Sequence, residues 1–63
     1  MKQEYVLNYL VLMKHDTVEL VKDSDGDYAV LFKGRAVNYF ANDALGLQEA
    51  KNCYEQTVME QIL

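Results

Sequence analysis

The chain has 63 residues, enough for one domain spanning 1–63, and its 51% hydrophobic content fits a folded protein and not a disordered tail. Ten acids against six bases give a net charge of −4, which argues against unspecific nucleic-acid binding, since that runs on lysine and arginine neutralising phosphates. The lone cysteine, Cys53, excludes an internal disulfide, and with the lone histidine, His15, it cannot supply the usual four zinc ligands.

Residues 5–13 are apolar except for Asn8. The run is far shorter than the roughly 20 residues that cross a bilayer. It lacks a signal-peptide cleavage site and has Glu4 beside it. It therefore reads as core in a cytoplasmic protein, and a single cysteine suits a reducing compartment. Its tyrosine and valine content favours a strand. A turn at Lys14, His15, Asp16 and Thr17 would then set Tyr9, Val11 and Met13 beside Val18 and Leu20. A largely buried helix over residues 4–13 is the alternative.

The next signal is Asp23-Ser24-Asp25-Gly26-Asp27. Aspartate and serine suit the early positions of a type I turn, and Gly26 can take the left-handed conformation that follows. This predicts a hairpin with a glycine bulge, pairing Asp23 with Asp27, Lys22 with Tyr28, Leu20 with Val30 and Val18 with Phe32. Lys33 and Gly34 make a second tight turn, pairing Phe32 with Arg35, Val30 with Val37 and Tyr28 with Tyr39. Both registers place Val18, Leu20, Tyr28, Val30, Phe32, Val37 and Tyr39 on one face.

The last third reads as a helix. Leu47, Ala50, Tyr54, Val58 and Ile62 recur every three or four residues, with Asn42 or Asp43 as N-cap. Gly46 would weaken a helix interior, so the regular helix could begin only there. The predicted fold is α+β: a three- or four-stranded antiparallel β-meander packed on one C-terminal α-helix, with the N-terminal segment a strand or else a helix. One helix covers one side of a sheet. The other side would carry Val6, Leu10, Leu12, Val21, Leu31, Ala36 and Phe40, of which Leu10, Leu12, Val21, Leu31 and Phe40 form a candidate dimer face.

No motif points to catalysis or to a cofactor. The run from Asp23 to Asp27 has the alternating carboxylates that open a calcium loop, but Tyr28 stands where the sharp-turn glycine belongs and Gly34 where the closing glutamate belongs. His15 and Asp16 adjoin in a turn without a neighbouring nucleophile, and Cys53 beside an apolar helix stripe reads as structural. The tyrosines sit at a core edge, where their hydroxyls reach water. The remaining signal is charge: Asp16, Glu19, Asp23, Asp25 and Asp27 fall close together with Lys22 among them. That cluster could meet a basic protein surface.

Asp25-Gly26-Asp27-Tyr28-Ala29-Val30, with Glu49-Ala50 later in a helix, resembles HicB-type antitoxins. The resemblance implies a sheet-and-helix protein that binds and silences a small ribonuclease; the proline-rich segment of that family is absent here. Three strands followed by a helix also resemble the arm-binding domains of phage integrases, which are basic where this chain is acidic. The expected function is that of a small, acidic, non-enzymatic regulator that binds and modulates or inhibits a protein target. Proteins of this kind are encoded by phages and mobile elements against nucleic-acid-processing or defence proteins. An antitoxin-like or homodimerising module and a nucleic-acid-binding βββα domain are the alternatives.

Overall fold

The computed structural model describes residues 8–62. In chain order these form β1 (Leu10–His15), β2 (Val18–Lys22), β3 (Tyr28–Phe32), β4 (Arg35–Phe40) and α1 (Ala44–Ile62). The four strands make one antiparallel sheet in the order β1-β2-β3-β4, and α1 packs on β2, β3 and β4. The predicted meander is thus present with four strands, and residues 10–13 of the ambiguous N-terminal run belong to a strand. Val6 and the rest of residues 4–7 lie outside the described residues.

The turns take the conformations their residues favour. In the β2–β3 loop Gly26 N–H donates to the Asp23 carbonyl at 3.0 Å, and Asp23 N–H to that of Asp27 at 2.9 Å. Gly26 has φ +92°, a value that L side chains rarely adopt. Lys33 and Gly34 both have positive φ, 55° and 82°, as a two-residue hairpin turn requires. Asp16, at φ 56°, turns β1 into β2, and aspartate tolerates that region better than most residues.

The β2–β3 register is the predicted one, with Val18 opposite Phe32, Leu20 opposite Val30 and Lys22 opposite Tyr28. The β3–β4 register departs from expectation after its second pair, Leu31 with Ala36. Phe32 faces Arg35 as predicted, but Val30 faces Asn38 and Tyr28 faces Phe40. The shift falls between Val30 and Leu31, and Val37 is the extra, unpaired residue of a bulge. Val37 and Tyr39, expected in the core, are therefore 52% and 54% exposed. Phe40, expected on the opposite face, packs instead against the core under α1. A slip of one residue sends each later side chain to the other side of the sheet.

A second bulge sits in β1. Met13 faces Leu20, but Val11 faces Val21 and Leu10 faces Lys22, leaving Leu12 as the extra residue. Leu10 consequently shares a sheet face with Lys22, the α1 side, and not the opposite face expected of it.

Under α1, Val18, Leu20 and Val30 pack with Ala50 and Tyr54, joined by Tyr28, Phe32, Phe40, Cys53 and Val58. On the reverse face Val21, Ala29 and Leu31 form a smaller cluster with Ala36. All three are fully buried within the chain. Val21 and Leu31, expected on a dimer face, thus pack side by side on the side of the sheet away from α1.

The helix begins earlier than Gly46 suggested. Asp43 is its N-cap: its Oδ1 accepts the Gly46 N–H at 2.6 Å. Gly46 is buried in the first turn, where an added Cβ would be driven into the Ala41 carbonyl and to 2.9 Å from the Ala41 nitrogen. Glycine therefore lets the chain leaving β4 lie against the start of α1. The buried helix residues are Gly46, Ala50, Tyr54 and Thr57. The Thr57 hydroxyl donates to the Cys53 carbonyl at 2.8 Å, so its polar group is satisfied inside the core. Ile62, assigned to the apolar stripe by spacing, is 67% exposed.

Candidate functional site

The predicted acid cluster is divided by the fold. β2 runs between Asp16 at one end of the sheet and the loop carrying Asp23, Asp25 and Asp27 at the other. Glu19, in mid-strand on the face away from α1, lies 3.8 Å from Lys14 Nζ. Glu19 therefore faces Lys14 and stands apart from the loop.

The loop end meets the start of the helix. A Cβ on Gly26 would reach within 2.9 Å of Asn42 Nδ2, so the β2–β3 loop touches the connection into α1. Asn42 is thereby next to the loop, and Asp43 after it caps α1. Asp23 Oδ1 accepts the backbone N–H of both Asp25 and Asp27, each at 3.0 Å. Two carboxylates, those of Asp23 and Asp43, are thereby tied to backbone donors, while Asp25 and Asp27 are exposed. Lys22 is the nearby base, with Nζ 5.7 Å from the Tyr28 ring centroid.

The opposite end holds several bases together with acids. Lys33 N–H donates to the Thr17 carbonyl at 2.9 Å, which draws the β3–β4 turn next to the β1–β2 turn. Lys14, His15, Lys33 and Arg35 gather there with Asp16. Lys33 Nζ lies 5.3 Å from the Phe32 ring centroid. Acids and bases are thus mixed at this end, whereas among the described residues the loop of Asp23, Asp25 and Asp27 has only Lys22 near it.

The two sheet edges also differ. Between β4 and α1 runs an open groove of about 580 Å³ bordered by Asn38, Glu49, Asn52, Cys53, Gln56 and Glu60 among others. Between β1 and α1 lies a smaller, more apolar one of about 380 Å³, formed by His15, Tyr54, Glu55, Val58 and Met59. Burial raises the Tyr54 phenol above its ordinary value of 10.0. Every β1 residue is exposed, including Leu10 at 63% and Leu12 at 41%.

Among the described residues no three His, Cys, Asp or Glu side chains come together as metal ligands, and no helix is long and apolar enough to cross a membrane. Sequence reasoning missed four features that shape these surfaces: the bulges at Leu12 and Val37, the buried Thr57, and the contact of Gly26 with Asn42. Thr57 lies three residues from Tyr54 in the core stripe, so helical spacing could have found it. The other three depend on residues brought together by folding. No family model, curated protein or solved structure matches the chain.

Proposed function

We propose that this protein is a small, acidic, non-enzymatic regulator that binds a protein target in the cytoplasm and modulates or inhibits it. The target presents a basic surface, as nucleic-acid-processing and defence proteins do, and phages and mobile elements are the natural source of such an inhibitor. The observation that supports this reading is the acidic loop: Asp25 and Asp27 are exposed on a turn whose shape Asp23 fixes. Charges held in place by backbone hydrogen bonds need little reordering on contact. They favour a complementary surface and speed encounter with it.

Affinity capture from the native host, with the wild-type chain and the D25K/D27K double variant as baits, tests this. The wild type should retain a target that the variant binds at least tenfold more weakly, with binding that weakens as salt screens the charges. Binding insensitive to both changes would rule out the acidic loop as the contact. A shift of DNA or RNA in a gel at low salt, without a protein target, would favour the nucleic-acid reading instead.

A further inference from the structure

We infer that β1 is a homodimerisation edge, pairing antiparallel with β1 of a second copy about a two-fold axis between Leu12 and Met13. This does not depend on the target-binding surface proposed above, which lies at the far end of the β2–β3 hairpin.

The first ground is that β1 is left open. It is an edge strand whose other side is taken by β2, and α1 lies over β2, β3 and β4. All six residues from Leu10 to His15 are exposed. Leu10, Val11, Leu12 and Met13 are consecutive and apolar, and Tyr9 before them is 38% exposed. An apolar edge whose outer backbone donors and acceptors are unpaired among the described residues is the surface that another strand adds to. The other edge is blunted: in β4 the Tyr39 N–H already donates to Asn38 Oδ1 at 2.9 Å. Among the described residues no side chain caps a backbone donor of β1.

The second ground is register. With the axis between Leu12 and Met13, Leu10 faces the partner's His15 and Val11 faces the partner's Lys14. Strand partners must point to the same side of a sheet. Leu10 pairs with Lys22 and His15 with Val18, so both point to the α1 side. Val11 pairs with Val21 and Lys14 with Glu19, so both point to the other. In a regular strand, residues five apart point to opposite sides and this register would fail. The extra residue at Leu12 restores the match for these two pairs, which places the axis at the bulge.

The third ground is charge and area. Lys14 is the strand's one lysine, and it is held by Glu19 at 3.8 Å on its own chain. In this register it meets the partner's valine and no like charge, and its stem can lie along that apolar side chain. A specific interface needs roughly 1,000 Å² of total buried surface. Reaching that area takes side chains as well as two six-residue backbones, and Leu10, Val11 and Met13, 63%, 43% and 40% exposed, are available for it. The result is one continuous eight-stranded sheet with an acidic loop on each copy. A two-fold contact closes on itself and stops at the dimer.

Sedimentation equilibrium of the wild type, V11K and V11E decides it, because Val11 faces Lys14 across the axis. The wild type should be a dimer at micromolar concentration. V11K, which sets two lysines together, should raise the dissociation constant at least tenfold, and V11E, which sets a carboxylate against Lys14, should not raise it. Far-ultraviolet circular dichroism checks that each variant keeps its helix. Should either fail to fold, hydrogen exchange on the wild type replaces it: protection of the Leu10–His15 amides should rise with protein concentration. A strictly monomeric wild type overturns the proposal. So does a dimer weakened equally by both variants, or one whose β1 amides exchange independently of concentration.

Discussion

The two edges of the sheet are built from similar strands and end in different states. β1 and β4 each have six residues and each carries a bulge. At β4 the bulge turns Phe40 inward beneath α1, the Asn38 side chain takes a backbone donor, and amides and carboxylates border the groove. At β1 the helix stands back, and the bulge leaves a row of apolar side chains in solvent. The chain leaving β4 runs directly into α1 and anchors it there. No such tether holds α1 over β1, so position relative to the helix, more than composition, separates the finished edge from the open one.

The largest effect should come from breaking the anchor on the β4 side. Gly46→Val places side-chain atoms in the Ala41 backbone, which cannot swing away as a flexible side chain would. We expect a loss of about 3 kcal/mol or more in a urea titration. A stability unchanged within error would mean that the helix start can move, and that the anchor is not what sets the two edges apart.

A paired comparison sharpens the contrast. Phe40→Ala removes a ring packed against the core and should cost about 2–3 kcal/mol. Met13→Ala, in the 40% exposed β1 position, should cost below about 0.5 kcal/mol when measured at concentrations too low for dimers. Equal costs would show that β1 is packed as tightly as β4.

The smallest effect concerns pH. Tyr54, at the centre of the α1 core, has its phenol raised above 10.0 by burial. The folded chain thus holds that proton more tightly than the unfolded chain does. The contribution is fully present below the unfolded value near 10 and is lost as pH rises through the raised folded value. Stability of the wild type should therefore fall more steeply above about pH 10 than that of Tyr54→Phe. Identical slopes would mean that water reaches the hydroxyl.

The β2–β3 hairpin was legible because its information is local. Gly26 follows an aspartate-rich turn, and alternation on both sides leaves one register that buries Leu20 and Val30. Asp43 was legible as a cap for the same reason: the side chain bonds three residues along its own chain. Val37 and Leu12 were not legible. A bulge costs little locally, and whether it forms depends on which side chains the opposite layer can accept. At β4 the layer accepts Phe40, a larger apolar payload than Tyr39, whose hydroxyl then remains in solvent. Gly46 looked like a flaw in the helix because its value lies in what Ala41 does, five residues earlier.

By itself the sequence determined the element types from Val18 onward, the central hairpin and the sheet-and-helix layering, since turn chemistry and hydrophobic period act over a few residues. Tertiary structure alone decided which edge was finished and where the charges gathered. Those outcomes depend on contacts between distant segments, such as Gly26 against Asn42 and Thr17 against Lys33, which no local pattern encodes.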